Sequence, residues 1–173
     1  MIQISFQPAL DPFHGMFRLL RLRSALREAG ALPVDHVRIL DFFMAFPRRV
    51  SDLRLRPEHR GLKNAVTKFP WPVPYSEQPE SKAIFERIEP IQLAALQTLA
   101  SNGLVEGDRL DQGIVQITEV PLAADLAARI DAINEREGVL LRLLAVLARD
   151  YELVGGAGLK ERSGLMEYRY DAI

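Results

Sequence analysis

The side chains best suited to chemistry in this sequence are few and scattered. Three histidines, His14, His36 and His59, stand at intervals that match no metal motif, and neither an HExxH helix nor a paired-carboxylate spacing surrounds them. A metal site is therefore not expected, and His14, beside Phe13, reads as a packed core or interface side chain. With no cysteine, a thiolate nucleophile, a disulfide and a cysteine-bound metal are excluded, and no GxSxG elbow marks a serine nucleophile. Gly155-Gly156-Ala157-Gly158-Leu159-Lys160 has glycines that let backbone amides approach a phosphate, and a lysine to neutralise it. A phosphate loop needs Ser or Thr after that lysine at the head of a helix. Here Glu161 comes next, so a glycine turn is the better reading. No catalytic residue, metal or cofactor is assigned.

What remains is charge. The net is −1, yet residues 1 to 70 hold twelve Lys and Arg against six Asp and Glu, or +6, while residues 71 to 173 hold ten against seventeen, or −7. Such asymmetry gives one face for an anionic partner and another that repels it. The basic residues concentrate from Arg48 to Lys68, where Arg48, Arg49, Arg54, Arg56, Arg60, Lys63 and Lys68 meet only Asp52 and Glu58. Two readings stand open for Arg48, Arg49, Arg54, Arg56, Arg60 and Lys63: contact with nucleic acid or an acidic partner, or a solvated segment paired with the acidic half of the same molecule.

The elements that position these residues are set by periodicity and punctuation. At 173 residues, 48% apolar and 26% charged, the chain is an ordinary globular one, expected to form a single compact domain burying roughly 70% of its unfolded surface. Ile2, Ile4 and Phe6 alternate like a strand. Asp11-Pro12 supplies an N-cap and first-turn proline for a helix to about Ala29, closed by Gly30. Its apolar face, Phe13, Met16, Phe17, Leu19, Leu20 and Leu26, also includes Arg23 and Arg27, which either leave the core or pair with buried acids. A second helix starts at Pro33, with Val34, Val37, Leu40, Phe43 and Met44 inward, and stops at Pro47. Pro70 to Pro79 is a stiff connector packed by Trp71 and Tyr75, separating the basic N-terminal helical layer (residues 1–69) from the rest of the chain.

Residues 79–120 read as a winged helix-turn-helix. Ser81 to Ile88 is a short helix, and Pro90 opens a second with Leu93, Leu96, Leu99 and Ala100 on one face, ended by Asn102-Gly103. Leu104 to Glu106 and Gly113 to Thr118 come next as strands joined by a polar turn, Gly107 to Gln112. The fold class expected is mainly α with this α+β winged module, then C-terminal helices and a strand-like tail over residues 121–173. A duplex-reading role fits this module poorly: its helix offers Gln92, Gln97 and Thr98 but no Lys or Arg from Pro90 to Asn102, and its tip carries Glu106, Asp108 and Asp111 against Arg109 alone. Pro121 to Glu137 is amphipathic. Beyond Gly138, the helix Val139 to Tyr151 is apolar nearly all round and needs cover on more than one side. Its Leu140, Leu143, Leu144, Leu147 and Tyr151 are candidates for a partner or self-association surface. Met166, Tyr168 and Tyr170 alternate as in a strand.

FQPALDPFHGMFRLLRL, VDHVRILDFFMAFP, FERIEPIQLAALQTLASNGLV and GLKERSGLMEYRYD, in this order and spacing, together resemble the middle component, type 5, of bacterial ABC three-component conflict systems. The resemblance spans Phe6 to Asp171. It implies a small non-enzymatic adaptor encoded with an ABC-type, SMC/Rad50-like ATPase and an effector, acting in defence against phage or other invading DNA. No catalytic residue carries over from it. Expected partners are that ATPase and effector, DNA through the basic segment, and a second copy of the chain. The alternative is a winged-helix transcription regulator using the basic half for phosphates. No run approaches the roughly 18 apolar residues of a membrane span. Met1 to Phe6 also lacks a secretory pattern, and with the missing cysteines this suits the cytoplasm.

Overall fold

The computed structural model describes residues 8–74 and 77–166, and within them the chain is mainly helical. The strand expected over Ile2 to Phe6, the packing of Tyr75 and the alternating tail at Tyr168 and Tyr170 lie outside the described residues. Helix α1, Pro12–Ala29, begins where Asp11 accepts the Phe13 amide at 2.8 Å and the His14 amide at 3.4 Å. It ends at Gly30, whose φ of 82° favours glycine and whose N–H returns to the Leu26 and Arg27 carbonyls. Strand β1, Leu32–Pro33, runs straight into α2, Val34–Ala45. Two 3-10 turns, Pro47–Asp52 and Pro57–His59, lead to α3, Arg60–Lys68. In the connector after α3, Trp71 is buried, its indole N–H donating to the Val66 carbonyl at 2.8 Å and its ring 4.2 Å from that of Phe69.

The next element differs from expectation. Ser81 to Ser101 is one helix, α4, with Pro90 inside it, so the two short helices of a helix-turn-helix are a single continuous rod. Proline in a helix interior costs about 3 kcal/mol through a lost N–H and a ring clash. Burial outweighs that here: Ile84, Phe85, Ile88, Gln92, Ala95, Leu96 and Leu99 keep one helical face inward on both sides of Pro90. The expected polar turn after α4 is also a helix, α5, Gly107–Asp111, anchored by buried Leu110. Its flanks do run antiparallel, since Val105 bridges Ile117 and the Glu106 amide meets the Gln116 carbonyl at 2.9 Å. Yet β2, Ile114–Val115, pairs with distant β1 in the register Leu32↔Val115 and Pro33↔Ile114.

Helix α6, Ala124–Arg136, and α7, Gly138–Asp150, meet at Glu137, and the short α8, Leu159–Ser163, comes after the glycine loop. Helix α7 is the centre of the molecule. It packs against α1, α2, α3 and α6, which supplies from its own chain the all-round cover its sequence demands. Helix α1 lies across α4 as well as α7, closely enough that a Cβ on Gly15 would meet Ile91 Cγ2 at 3.3 Å.

Candidate functional site

Leu140, Leu143, Leu144 and Leu147 are 0% exposed and Tyr151 is 3% exposed. These five residues are core, not an open surface, because four neighbouring helices close over α7. The interface expected at them is thus corrected: in this conformation they present nothing to a partner. His14 is not a core side chain, since it is half exposed and 3.5 Å from Asp11, and only the interface half of its expected role is left open. Gln92, expected on a readable helix face, is 1% exposed and turned inward.

Gln92 belongs to a buried polar network that the spacing of residues did not reveal. Arg38 donates through Nε to Gln92 Oε1 at 3.1 Å, through Nη1 to Asp35 at 2.9 Å and through Nη2 to Glu89 at 2.8 Å, with its guanidinium 4.5 Å over the Phe85 ring. Gln92 Nε2 donates in return to the Arg38 carbonyl at 3.0 Å and to Asp41 at 2.9 Å. Asp41, 1% exposed, takes both arms of Arg18 at 2.7 and 3.1 Å. Arg21 joins α1 to the α6–α7 junction through Asn134 at 2.9 Å and Glu137 at 2.6 Å. Buried charges persist only when paired, and apart from Arg38 with Asp35 these pairs cross from one helix to another. A signal for the network existed: Arg38 and Asp41 sit among the apolar residues of α2.

Arg27 takes the first of the two expected routes, its side chain 44% exposed at the core edge, while Arg23 stays half-buried. Both donate to the Thr118 carbonyl, at 3.1 and 3.3 Å, and Arg23 also holds the Val120 carbonyl, so the pair clamps the segment after β2. Among the described residues Arg27 alone of the two has a carboxylate within 4 Å, Glu119 at 3.7 Å, and that one is exposed. Burial pulls the Arg23 pKa down, and the Arg27 charge adds to this against the opposing effect of Glu119.

The glycine loop is not a phosphate cradle. The three amides nearest its lysine are already used: Gly158 donates to Gly155, Leu159 to Glu152 and Lys160 to Leu153. The Lys160 ammonium is buried and lies 3.9 Å from Asp35. Gly158 has its own reason, since a Cβ there would sit 2.3 Å from the Val154 carbonyl oxygen. Among the described residues no group of three or more His, Asp or Glu side chains is gathered as a metal ion needs. A cleft of about 250 Å³ beside Leu10, Phe46, Ile84 and Arg87 falls short of the roughly 300 Å³ at which ligand pockets begin.

The basic segment wraps around α7 and α8. The Arg54 amide donates to the Arg162 carbonyl at 3.0 Å and the Arg162 guanidinium donates back to the Arg54 carbonyl at 3.1 Å, while the Arg54 guanidinium reaches the Glu161 carbonyl and, at 3.8 Å, the Glu161 carboxylate. Arg56 lies 4.6 Å over the Tyr151 ring, while the Tyr151 hydroxyl accepts the Arg56 amide at 3.0 Å and sits 2.8 Å from His59 Nδ1. Lys63 bonds the Leu53 carbonyl at 2.7 Å, Arg49 the Pro79 carbonyl at 2.8 Å and Arg48 the Trp71 carbonyl at 3.4 Å. Arg60 is exposed. The acidic helix α5 packs elsewhere, on α4 and β2.

Among the described residues no helix is long and apolar enough to cross a membrane. No curated protein and no solved structure matches the chain. A family model described as ABC-three component (ABC-3C) system Middle Component 5 matches residues 4–171 of the 173. That match takes in the helices, the buried network and the basic segment alike, and the chain belongs to the Middle Component 5 family of ABC-3C systems.

Proposed function

We propose that this chain is a non-enzymatic adaptor, joining a co-encoded ABC-type, SMC/Rad50-like ATPase to an effector in a bacterial defence system. The observation that carries the reading is membership of a family whose description is a middle component of a three-component system, which implies co-encoded partners. The use of the buried charged groups supports it. Arg18 with Asp41, Arg21 with Glu137, and Arg38 with Glu89 are all engaged in holding helices to one another. They stiffen a scaffold instead of standing poised toward a cavity. A transcription regulator needs side chains free to meet base edges, and the inward turn of Gln92 removes one such group from α4.

The test is reconstitution. Co-expression of the tagged chain with its two co-encoded components, followed by size exclusion, is expected to give a complex in which ATPase and effector co-elute only when this chain is present. Association of the other two without it, or failure of this chain to bind either, would refute the adaptor reading.

A further inference from the structure

Residues 47–68 carry seven Lys and Arg against Asp52 and Glu58, a local +5. What holds those cations matters more than their number. Arg48, Arg49 and Lys63 each donate to a backbone carbonyl, of Trp71, Pro79 and Leu53 respectively. Arg56 rests on the Tyr151 ring and also faces Asp150, whose carboxylate is bound at 2.7 Å by Arg149. Of the seven, Arg54 alone has a carboxylate within 4 Å among the described residues, Glu161 at 3.8 Å. A carboxylate partner cancels charge, whereas a carbonyl orients the cation and leaves its charge intact. The fold thus fixes several cations in place without neutralising them, so less ordering entropy is lost when an anion arrives. A guanidinium tethered by one N–H also keeps others for a phosphate oxygen.

The surface has the wrong make-up for a protein partner. Interfaces between proteins take their energy from apolar and aromatic anchors at a desolvated centre. Among the described residues the large exposed hydrophobics are Phe13, Val73, Leu93, Val120 and Val154, none of them within residues 47–68. A polyanionic lattice asks for fixed cations and nothing more. These cations belong to one packed unit, because α3 lies against both 3-10 turns and Lys63 ties it back to Leu53.

We propose that the surface formed by Pro47–Asp52, Pro57–His59 and α3 binds the phosphate backbone of nucleic acid without reading sequence. The inference is independent of the adaptor reading: either can fail alone.

The experiment is fluorescence anisotropy of a labelled random-sequence duplex with the full chain, between about 50 and 200 mM salt. Affinity is expected to fall with salt on a log–log slope of about −0.9 per phosphate engaged, or roughly −4.5 for five. Joint substitution Arg48→Gln, Arg60→Gln and Lys68→Gln, all exposed positions, should make the slope shallower by about 0.9 for each phosphate no longer engaged. The charge-keeping set Arg48→Lys, Arg60→Lys and Lys68→Arg should retain it, and Asp108→Asn with Asp111→Asn, on the separate acidic helix, should leave it unmoved. No binding at low salt, or a slope indifferent to removal of the cations, overturns the proposal. So does equal retention by polyglutamate of matched charge, which reassigns the surface to acidic protein.

Discussion

Replacing Arg38 by alanine is the sharpest probe of the buried network. The Arg38 side chain is 5% exposed and makes charge-assisted bonds to Asp35, Glu89 and Gln92 as well as its contact with Phe85. Removing one partner of a buried pair costs about 3–5 kcal/mol. Glu89 at 45% exposure and Asp35 at 33% recover water once Arg38 is gone, which places their share at the low end. Gln92 does not, and leaving its buried Oε1 unsatisfied adds about 1–3 kcal/mol. We expect a total of about 4–6 kcal/mol by urea denaturation, or roughly 8–24 °C in Tm for a chain of this size. Arg38→Lys should fall between, since one ammonium cannot span three acceptors set around a planar fork. Arg38 also touches α4 at Phe85, Glu89 and Gln92, on both sides of Pro90, so amide exchange from Ile91 to Ala94 should accelerate before that of α7. A destabilisation under about 1 kcal/mol, or lysine performing as well as arginine, would refute the splinting argument.

Three further outcomes are expected. Leu144→Ala should cost about 2–5 kcal/mol in unfolding free energy, as a cavity in a closed core does, so any fall in partner binding should track the unfolded fraction. Selective failure of binding at unchanged stability would return α7 to the surface. Gly158→Ala should destabilise by more than about 2 kcal/mol, because its methyl group would overlap the Val154 carbonyl, and limited proteolysis should then cut the loop before α8. His36 sets an acid limb. Burial holds its pKa below 6.5, and the Leu147 carbonyl only partly offsets this, so the unfolded chain takes up the proton more readily. The stability His36 contributes is complete above pH 6.5 and disappears as pH falls through the lower folded value. His36→Gln should flatten that limb in urea midpoints measured across it, and an unchanged limb would count against a neutral imidazole.

Helix α1 was legible from Asp11-Pro12 to Gly30, and α2 from Pro33 to Pro47, because capping and proline chemistry are local. The buried helix α7 was legible as well, through its apolar circumference and Gly138. The segment expected as a polar turn is instead helical because its one apolar residue, Leu110, is buried and anchors α5. Pro90 lies inside a helix, against the local rule that proline starts one, because an apolar stripe runs through it from Ile84 to Leu99.

By itself, then, the order of residues determined the helical character of this protein, its lopsided charge and the need to cover α7, since each depends on neighbours within a few turns. Only the tertiary structure decided who provides that cover, which arginines pair with acids, and which are tethered to carbonyls with their charge intact. Those outcomes join residues up to a hundred or so positions apart, as Arg21 does with Glu137 and Arg54 with Glu161. Local spacing carries no record of such distances, because the free energy that selects among partners appears only when helices meet and water leaves.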